Sequence, residues 1–240
     1  MPATTTSGLR VRDLHVNYGA VHAVAGVSLS VEPGRCVGLV GANGAGKSST
    51  LHAIGGLIPC GRGSVIALGD RSLQRVTAPQ RARLRLGHVL EGRHVFSDLS
   101  VAQNLHVGAL AAARPRRAAA VAKALEVLPE LHDVLKRPAG TLSGGQQQMV
   151  AIGRALAGDP EVLMLDEPTN GLAPILVDRV IHIVREVCAQ GIGVLLVEQR
   201  LEVAQAAADE LHVLQHGRIV HTTTGDDPGL AAIVHAAYLN

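Results

Sequence analysis

The chain has 240 residues, a formal net charge of +2 at neutral pH and 47% hydrophobic residues. That length suffices for one large domain with a buried core, or for a core that carries an inserted subdomain. The small net charge argues against a protein that binds nucleic acid, for which a strongly basic face is expected. Because the chain contains one Phe, two Tyr and no Trp, its core must consist of Ala, Val and Leu.

Three scattered cysteines, Cys36, Cys60 and Cys188, lack the spacing of a metal site and favour a reducing compartment. The opening stretch MPATTTSGLR lacks a basic start followed by an apolar run, so we expect no signal peptide there. No stretch reaches the roughly 18 apolar residues that a membrane span needs. We therefore expect a soluble chain that reaches a membrane only through a partner.

Two hydrophobic patterns predict two kinds of strand. Residues 9–31 alternate between apolar and polar side chains, which predicts antiparallel strands with one solvent-exposed face. Three short runs are apolar at almost every position, as in central parallel strands buried on both faces, and they lie at 36–40, 161–166 and 193–198. Residues 211–220 predict a hairpin with Gly217 in its turn.

Between residues 92 and 157 strand-like runs are absent, and alanine-rich helical sequence such as that at 116–128 takes their place. This change of character predicts a helical insertion into an α/β protein. We therefore predict a single α/β domain. Its mostly parallel sheet and an antiparallel β subdomain occupy residues 1–91 and 158–240, and a helical subdomain occupies residues 92–157.

The sequence GANGAGKSS, at residues 41–49, follows the apolar run 36–40 and precedes a predicted helix. It matches the pattern G-x-x-x-x-G-K-[ST], whose glycines let backbone amides turn towards a triphosphate while a helix N-terminus faces the same anion. Lys47 is then expected to neutralise the β- and γ-phosphates of ATP, and Ser48 to coordinate Mg²⁺. A glycine-rich turn that carries a lysine by chance is the alternative, which the flanking strand and helix disfavour. The predicted nucleotide-binding residues of this loop are Gly41, Asn43, Gly44, Ala45, Gly46, Lys47, Ser48 and Ser49.

A second motif, EVLMLDEP at residues 161–168, ends an apolar strand in two acids. Adjacent carboxylates at such a position are costly unless a cation or a solvent-filled cleft faces them. We expect Asp166 to hold a metal ion through water and Glu167 to polarise the water that attacks the γ-phosphate. A strand that simply runs into a polar turn is the alternative, which the phosphate loop upstream disfavours.

Residues 142–146 read LSGGQ, with two adjacent glycines at the start of a predicted helix. Each glycine weakens a helix by roughly 1 kcal/mol relative to alanine, so this backbone is expected to approach another group closely. A phosphate loop, this pentapeptide and an Asp-Glu strand end, in that order, make the sequence resemble the ATP-binding subunits of ABC transporters. The resemblance extends from about Leu9 to about Val220.

The resemblance implies a RecA-like P-loop NTPase core and a head-to-tail pair of ATP-binding subunits. In that arrangement the signature loop caps the γ-phosphate of the ATP bound by the second subunit, which is the same or a sister chain. A hydroxyl, closely approaching amides and a helix dipole suit that anion. The signature residues that take this role are Ser143, Gly144, Gly145 and Gln146.

The resemblance also gives roles to residues outside these motifs. Tyr18 lies where the family has an aromatic residue that stacks on adenine, although an ordinary strand tyrosine is the alternative. Glu91 takes the place of a usual glutamine and becomes a candidate Mg²⁺ ligand with Ser48 and Asp166. Gln199 takes the place of a usual histidine at the γ-phosphate, where it can donate a hydrogen bond but cannot carry a proton.

Several segments resemble one subgroup of this family, the second ATP-binding subunit of branched-chain amino acid importers. They are EGRHVF at 91–96, GLAP at 171–174, VEQ at 197–199 and the tail AAYLN at 236–240. In GLAP, Ala173 replaces the aspartate that is usual in the family. Importers of amides or urea share much of this set of segments. The resemblance implies two transmembrane permease subunits, indirectly an extracytoplasmic solute-binding protein, and a position at the cytoplasmic face of the cell membrane.

Two other functions are alternatives. Gln199 is compatible with a subunit that clamps ATP and hydrolyses it weakly beside a more active sister subunit. An ABC-type ATPase that acts on DNA or ribosomes is disfavoured, because the sequence has no long coiled coil, zinc insertion or second ATPase half. Transport requires an exposed patch for the permease, for which the candidates, some of them equally suited to the core, are Val95, Phe96, Leu99 and Leu105.

Overall fold

The computed structural model of the protein describes residues 8–224, 227 and 229–239. The first seven residues, within the stretch for which we expected no signal peptide, lie outside this range, and so does Asn240 of the AAYLN tail. Among the described residues, no helix combines the length and the apolar character needed to cross a membrane.

Strands and helices alternate through most of the described chain. The strands are β1 (Leu9–Tyr18), β2 (Val21–Val31), β3 (Cys36–Val40), β4 (Val65–Leu68), β5 (Arg71–Ser72), β6 (Leu86–Val89), β7 (Val162–Asp166), β8 (Gly193–Glu198), β9 (Glu210–Gln215) and β10 (Arg218–Thr223). The helices are α1 (Lys47–Gly55), α2 (Ala78–Arg83), α3 (Val101–Ala109), α4 (Arg117–Val127), α5 (Gly144–Leu156), α6 (Pro174–Ala189), α7 (Leu201–Ala207) and α8 (Leu230–Leu239).

The described strands form two sheets. One is antiparallel, with the order β2-β1-β4-β5, and the other has six strands in the order β10-β9-β3-β8-β7-β6. In the larger sheet β6, β7, β8, β3 and β9 run parallel, and β10 is antiparallel to β9. The predicted α/β fold, with a mostly parallel sheet and an antiparallel part, is therefore confirmed.

All residues of β3, β7 and β8 are buried, which explains why these strands are apolar up to the acids that end β7 and β8, Asp166 and Glu198. Alternate side chains enter two core clusters on opposite faces of the sheet. Leu163 and Val194 pack in the cluster that contains α5 and α6 side chains, whereas Met164 and Leu195 pack in the cluster that contains α1 and the antiparallel sheet. Because the carboxyl ends of parallel strands meet at one edge, this sheet brings the residues after β3, β7 and β8 together.

Most strand predictions agree with the structure. The strands at 36–40 and 193–198 have the expected bounds, and the run at 161–166 becomes a strand one residue later, from Val162. The predicted hairpin at 211–220 is the β9–β10 pair, and Gly217 adopts a φ of 74° in its turn.

Residues 92–157 contain α3, α4, α5 and three short 3-10 turns, with no strand among them. Two of the helices start with a capping box, in which a serine and a glutamine three residues later bond each other's backbone amides. The division of the chain into this helical part and the remainder stays a prediction. Of the apolar candidates for an exposed patch, Phe96 is 47% exposed, whereas Leu105 is wholly buried and belongs to the core.

Candidate active site

The phosphate loop connects the end of β3 at Val40 to α1, which begins at Lys47. Gly44 and Gly46 both adopt left-handed backbone conformations, with φ of 82° and 105°. A side chain on Gly46 would also collide with the backbone oxygen of Ala23. Glycine is therefore required there for two independent reasons, one conformational and one steric.

Lys47 is almost fully buried, and its Nζ donates hydrogen bonds to the carbonyl oxygens of Gly41 at 2.8 Å and Ala42 at 3.1 Å. The same Nζ lies 3.3 Å from Glu167 Oε1. A buried ammonium is stable only with partners of this kind. The loop therefore holds one positive charge beside the position where the family pattern puts phosphate.

Asp166 ends β7 with its side chain inside the protein. Ser48 Oγ donates to Asp166 Oδ1 at 3.0 Å, whereas Asp166 Oδ2 is buried without a hydrogen-bond partner among the described residues. Burial raises the pKa of Asp166 to about 6, and the neighbouring Glu167 and Glu91 add to the rise. A hydroxyl beside a carboxylate with a free buried oxygen is an oxygen donor set that fits Mg²⁺.

Glu167 follows directly and adopts a φ of 43°, which is uncommon for a residue with a side chain. Its amide donates to the carbonyl oxygen of Val197 at 3.0 Å, so the left-handed turn is held by β8. Strained backbone of this kind persists where the surrounding structure over-determines it, often at functional sites. At this position the Glu167 carboxylate faces Lys47.

A polar cavity of about 320 Å³ joins these residues. Glu91 lies on its wall, where Asn170 Nδ2 donates to Glu91 Oε1 at 3.3 Å. The predicted site residues that line it are Asn43, Gly44, Gly46, Lys47, Ser48, Ser49, Glu91, Glu167 and Gln199. Residues from four separate parts of the sequence thus face one space.

A buried hydrogen-bond network supports the loop that carries Gln199. Thr169 Oγ1 donates to Glu198 Oε1 at 2.6 Å, and Arg200 Nη2 donates to Thr169 Oγ1 at 2.8 Å. Burial raises the pKa of Glu198, an effect that the bonds from Thr169 oppose. Sequence analysis did not identify this network. Thr169 and Glu198 are 29 residues apart, and no local sequence pattern relates them.

Tyr18 lies at the end of β1, half exposed, and its hydroxyl is 3.4 Å from Ser49 Oγ. The predicted adenine-stacking residue therefore lies at the edge of the phosphate-loop helix.

The signature residues are absent from the lining of this cavity in the described chain. Ser143 is the N-cap of α5; its Oγ accepts from the Gln146 amide at 3.3 Å, and Gln146 Oε1 accepts from the Ser143 amide at 3.1 Å. A Cβ on Gly145 would lie too close to Leu176 Cδ1, so a larger residue there would require the Leu176 side chain to move.

A larger cavity of about 650 Å³ lies between the helical part and the sheet. Its walls are mainly apolar and include Leu57, Leu90 and Phe96. Arg154 stacks on the Phe96 ring, with Cζ 5.0 Å from the ring centre, and its buried Nη1 has no hydrogen-bond partner among the described residues. This groove contains the exposed Phe96 that sequence analysis offered for a permease contact.

The model of the ABC transporter family matches residues 24–170, which is more than half of the chain. The high-affinity branched-chain amino acid transport ATP-binding protein BraG of Pseudomonas aeruginosa is 41% identical, over 87% of this chain and 89% of that protein. The probable branched-chain amino acid transport ATP-binding protein LivF of Archaeoglobus fulgidus is 32% identical, over 91% and 93%. The chain therefore belongs to the ABC transporter family, as one of its ATP-binding, ATP-hydrolysing subunits.

Other relatives and solved structures agree with this assignment. The methionine import ATP-binding protein MetN of Brucella abortus is 34% identical, over 91% of this chain and 60% of that protein. A crystal structure of the ADP conformation of an ATP-binding cassette of an ABC transporter superposes with a TM-score of 0.86. It is 26% identical to this chain, and the match covers 97% of this chain and 98% of that one. The predicted P-loop NTPase fold is thereby confirmed.

Proposed function

We propose that this chain hydrolyses ATP to drive an importer of branched-chain amino acids at the cytoplasmic face of the membrane. The observation that supports the solute is the similarity to BraG over most of both chains. MetN also matches over most of this chain, so the fold alone does not select a solute. An amide or urea importer is the competing assignment.

The cavity that joins the phosphate loop to β7 supports the ATPase chemistry. Lys47 and the amides of residues 41–49 would hold the β- and γ-phosphates, and Tyr18 would stack on adenine. Ser48 and Asp166 would hold Mg²⁺, with Glu91 as a further oxygen donor on the same wall. The bound metal supplies positive charge that offsets the charge of the phosphates.

Glu167 would accept a proton from the attacking water, since its carboxylate faces the same cavity. Gln199, which lines the same cavity, would donate a side-chain amide hydrogen bond towards the γ-phosphate or the water. Lys47 Nζ lies beside the same Glu167 carboxylate, 3.3 Å from Glu167 Oε1.

A second subunit would complete the reaction chamber. Ser143 is exposed at the start of α5, Gly144 and Gln146 are partly exposed and Gly145 is buried, and none of the four lines the cavity of their own chain. They are available to the γ-phosphate held by a partner subunit, which is the same or a sister chain. The solute-binding protein would act on the assembly only through the permeases.

The apolar groove at Phe96 supports a contact with the permease subunits. A cavity of this size, with mostly apolar walls, fits a short amphipathic segment from a partner. Glu91 and Phe96 are five residues apart, so movement at the groove would reach the nucleotide cavity through one loop.

Uptake assays test the solute. The chain would be expressed with its permeases and solute-binding protein in cells that lack their own branched-chain amino acid importer. We expect ATP-dependent uptake of radiolabelled leucine that Lys47→Ala abolishes. Uptake of urea or short amides without leucine uptake would contradict the assignment and favour the alternative.

A subunit that clamps ATP with weak turnover is a second candidate, supported by the neutral Gln199 in the cavity wall. Turnover by the purified chain, alone and with a sister subunit, distinguishes the two. Activity that appears only when the sister subunit carries the working carboxylate would favour the clamp.

A further inference from the structure

The phenol of Tyr238, in the C-terminal helix α8, donates a hydrogen bond to the backbone carbonyl of Gln199. This contact joins residues 39 positions apart in the sequence. The only other tyrosine is Tyr18, so the chain rarely uses this side chain as packing material. Through this bond Tyr238 contacts the backbone of Gln199, whose residue lines the nucleotide cavity.

The carbonyl of Gln199 lies between two regular elements. β8 ends at Glu198, and α7 has Arg200 as its N-cap, so Gln199 belongs to neither ladder. Gln199 is exposed, so its carbonyl can bond either water or a side chain that packing places beside it. The Tyr238 hydroxyl is that side-chain partner.

The position of Tyr238 also connects the two strands that carry the site. Val40 and Glu198 form the last pair in the parallel register of β3 and β8, so Gly41 and Gln199 are the first residues beyond that pair. Burial raises the pKa of Tyr238 to about 12, and a hydrogen bond from the Gly41 backbone opposes the rise. The phenol is therefore a permanent donor at neutral pH, in contact with the start of both loops.

The C-terminal helix α8, which carries Tyr238, is anchored by buried side chains. Leu230, Val234 and Ala237 are buried, at spacings that place them on one face of α8. They pack in a core cluster with Leu211 of β9 and Ala204 of α7. The next residue, Tyr238, packs against the same cluster, which also contains Val40 at the end of β3.

We propose that Tyr238 is a positioning residue, whose hydrogen bond to the Gln199 carbonyl orients the Gln199 side chain towards the γ-phosphate. The proposal rests on the proposed function, because that function assigns Gln199 to the nucleotide. A glutamine side chain loses up to about 2 kcal/mol of rotamer freedom when it is ordered. Arg200 is already held by Thr169, so the Tyr238 contact restrains the loop from its other side.

A double-mutant cycle tests this proposal. Tyr238→Phe keeps the ring and removes only the hydroxyl, and we expect kcat to fall about fivefold with little change in KM for ATP. In the Gln199→Ala background, the same substitution is expected to change kcat by less than about twofold, because the side chain that Tyr238 orients is gone. His235→Ala, an exposed position on the same helix, is the control and should leave kcat unchanged.

Hydrogen–deuterium exchange gives a second measurement that needs no turnover. Tyr238→Phe should raise exchange in residues 199–204, and His235→Ala should not. An equal loss of kcat in both backgrounds would show a general structural effect and overturn the proposal, as would unchanged kcat and exchange in Tyr238→Phe. If Gln199→Ala has the same kcat as wild type, the role that the proposed function gives to Gln199 fails. Raised exchange in Tyr238→Phe would still show that Tyr238 restrains the loop at residue 199.

Discussion

Lys47 Nζ and Glu167 Oε1 lie 3.3 Å apart and are both shielded from solvent, which joins the phosphate loop directly to the residue after β7. The positive charge of Lys47 is thus shared between loop carbonyls and a carboxylate. Each charge offsets part of the free-energy cost of burying the other. Removal of either side chain would leave the remaining one without its counter-charge.

Lys47→Ala is expected to abolish measurable ATP binding, because the loop loses the compact cation that neutralises the terminal phosphates. Isothermal titration calorimetry with magnesium-ATP measures the change. Lys136→Ala, at an exposed position, is the matched control and should retain wild-type affinity. Unchanged affinity in Lys47→Ala would show that the phosphates bind elsewhere.

Glu167→Gln should lower kcat by about a hundredfold or more, since a neutral amide cannot accept a proton from water. ATP binding should persist, so the variant is expected to accumulate as an ATP-bound dimer. Steady-state ATPase rates and light scattering in magnesium-ATP measure the two effects. Glu126→Gln, an exposed site in α4, should behave as wild type, and normal hydrolysis by Glu167→Gln would remove Glu167 from the reaction.

The raised pKa of Asp166 predicts a pH-dependent stability. Because the folded-state pKa is about 6, above the ordinary 3.8, the stabilisation from protonated Asp166 is present below pH 3.8 and is lost as pH rises through 6. The shift corresponds to about 3 kcal/mol. In metal-free buffer, the free energy of unfolding of wild type should therefore fall over this window relative to Asp166→Asn.

Urea titrations at several pH values measure this difference, with the exposed Asp133→Asn as control. Magnesium nucleotide should reverse the loss above pH 6, since it requires the ionised carboxylate. Parallel stability curves for wild type and Asp166→Asn would contradict the assigned pKa.

Ala173→Asp is expected to stabilise the chain by about 1 kcal/mol. Ala173 is the N-cap of α6 and offers no side-chain acceptor to the first amides of the helix. An aspartate would supply that acceptor and place a negative charge at the positive end of the helix dipole. Ala122→Asp, exposed within α4, is the matched comparison and should destabilise, so equal effects in a urea titration would exclude capping as the cause.

Local patterns in the sequence predicted the parts of the fold that local physics determines. The apolar runs at 36–40 and 193–198 gave the strand bounds because both faces of those strands are buried. The glycine spacing of residues 41–49 likewise predicted a tight loop. In the structure, Gly44 and Gly46 of this loop adopt the left-handed conformations that glycine favours.

Local sequence patterns could not predict contacts between distant segments of the chain. The packing of Leu176 against Gly145, the burial of Leu105 and the bond from Tyr238 to Gln199 all join residues that no periodicity relates. Each depends on how helices lie on the sheet, which is decided by the whole core. The roles of the site residues themselves stay predictions until the variants above are measured.

The half-exposed Tyr18 beside Ser49 has a practical consequence in a polypeptide with no tryptophan. Tyr18→Trp would introduce a single indole fluorophore beside the phosphate loop, and excitation at a wavelength that tyrosine does not absorb would report on it alone. A purine stacked on that ring would quench it, so occupancy could be followed optically in real time.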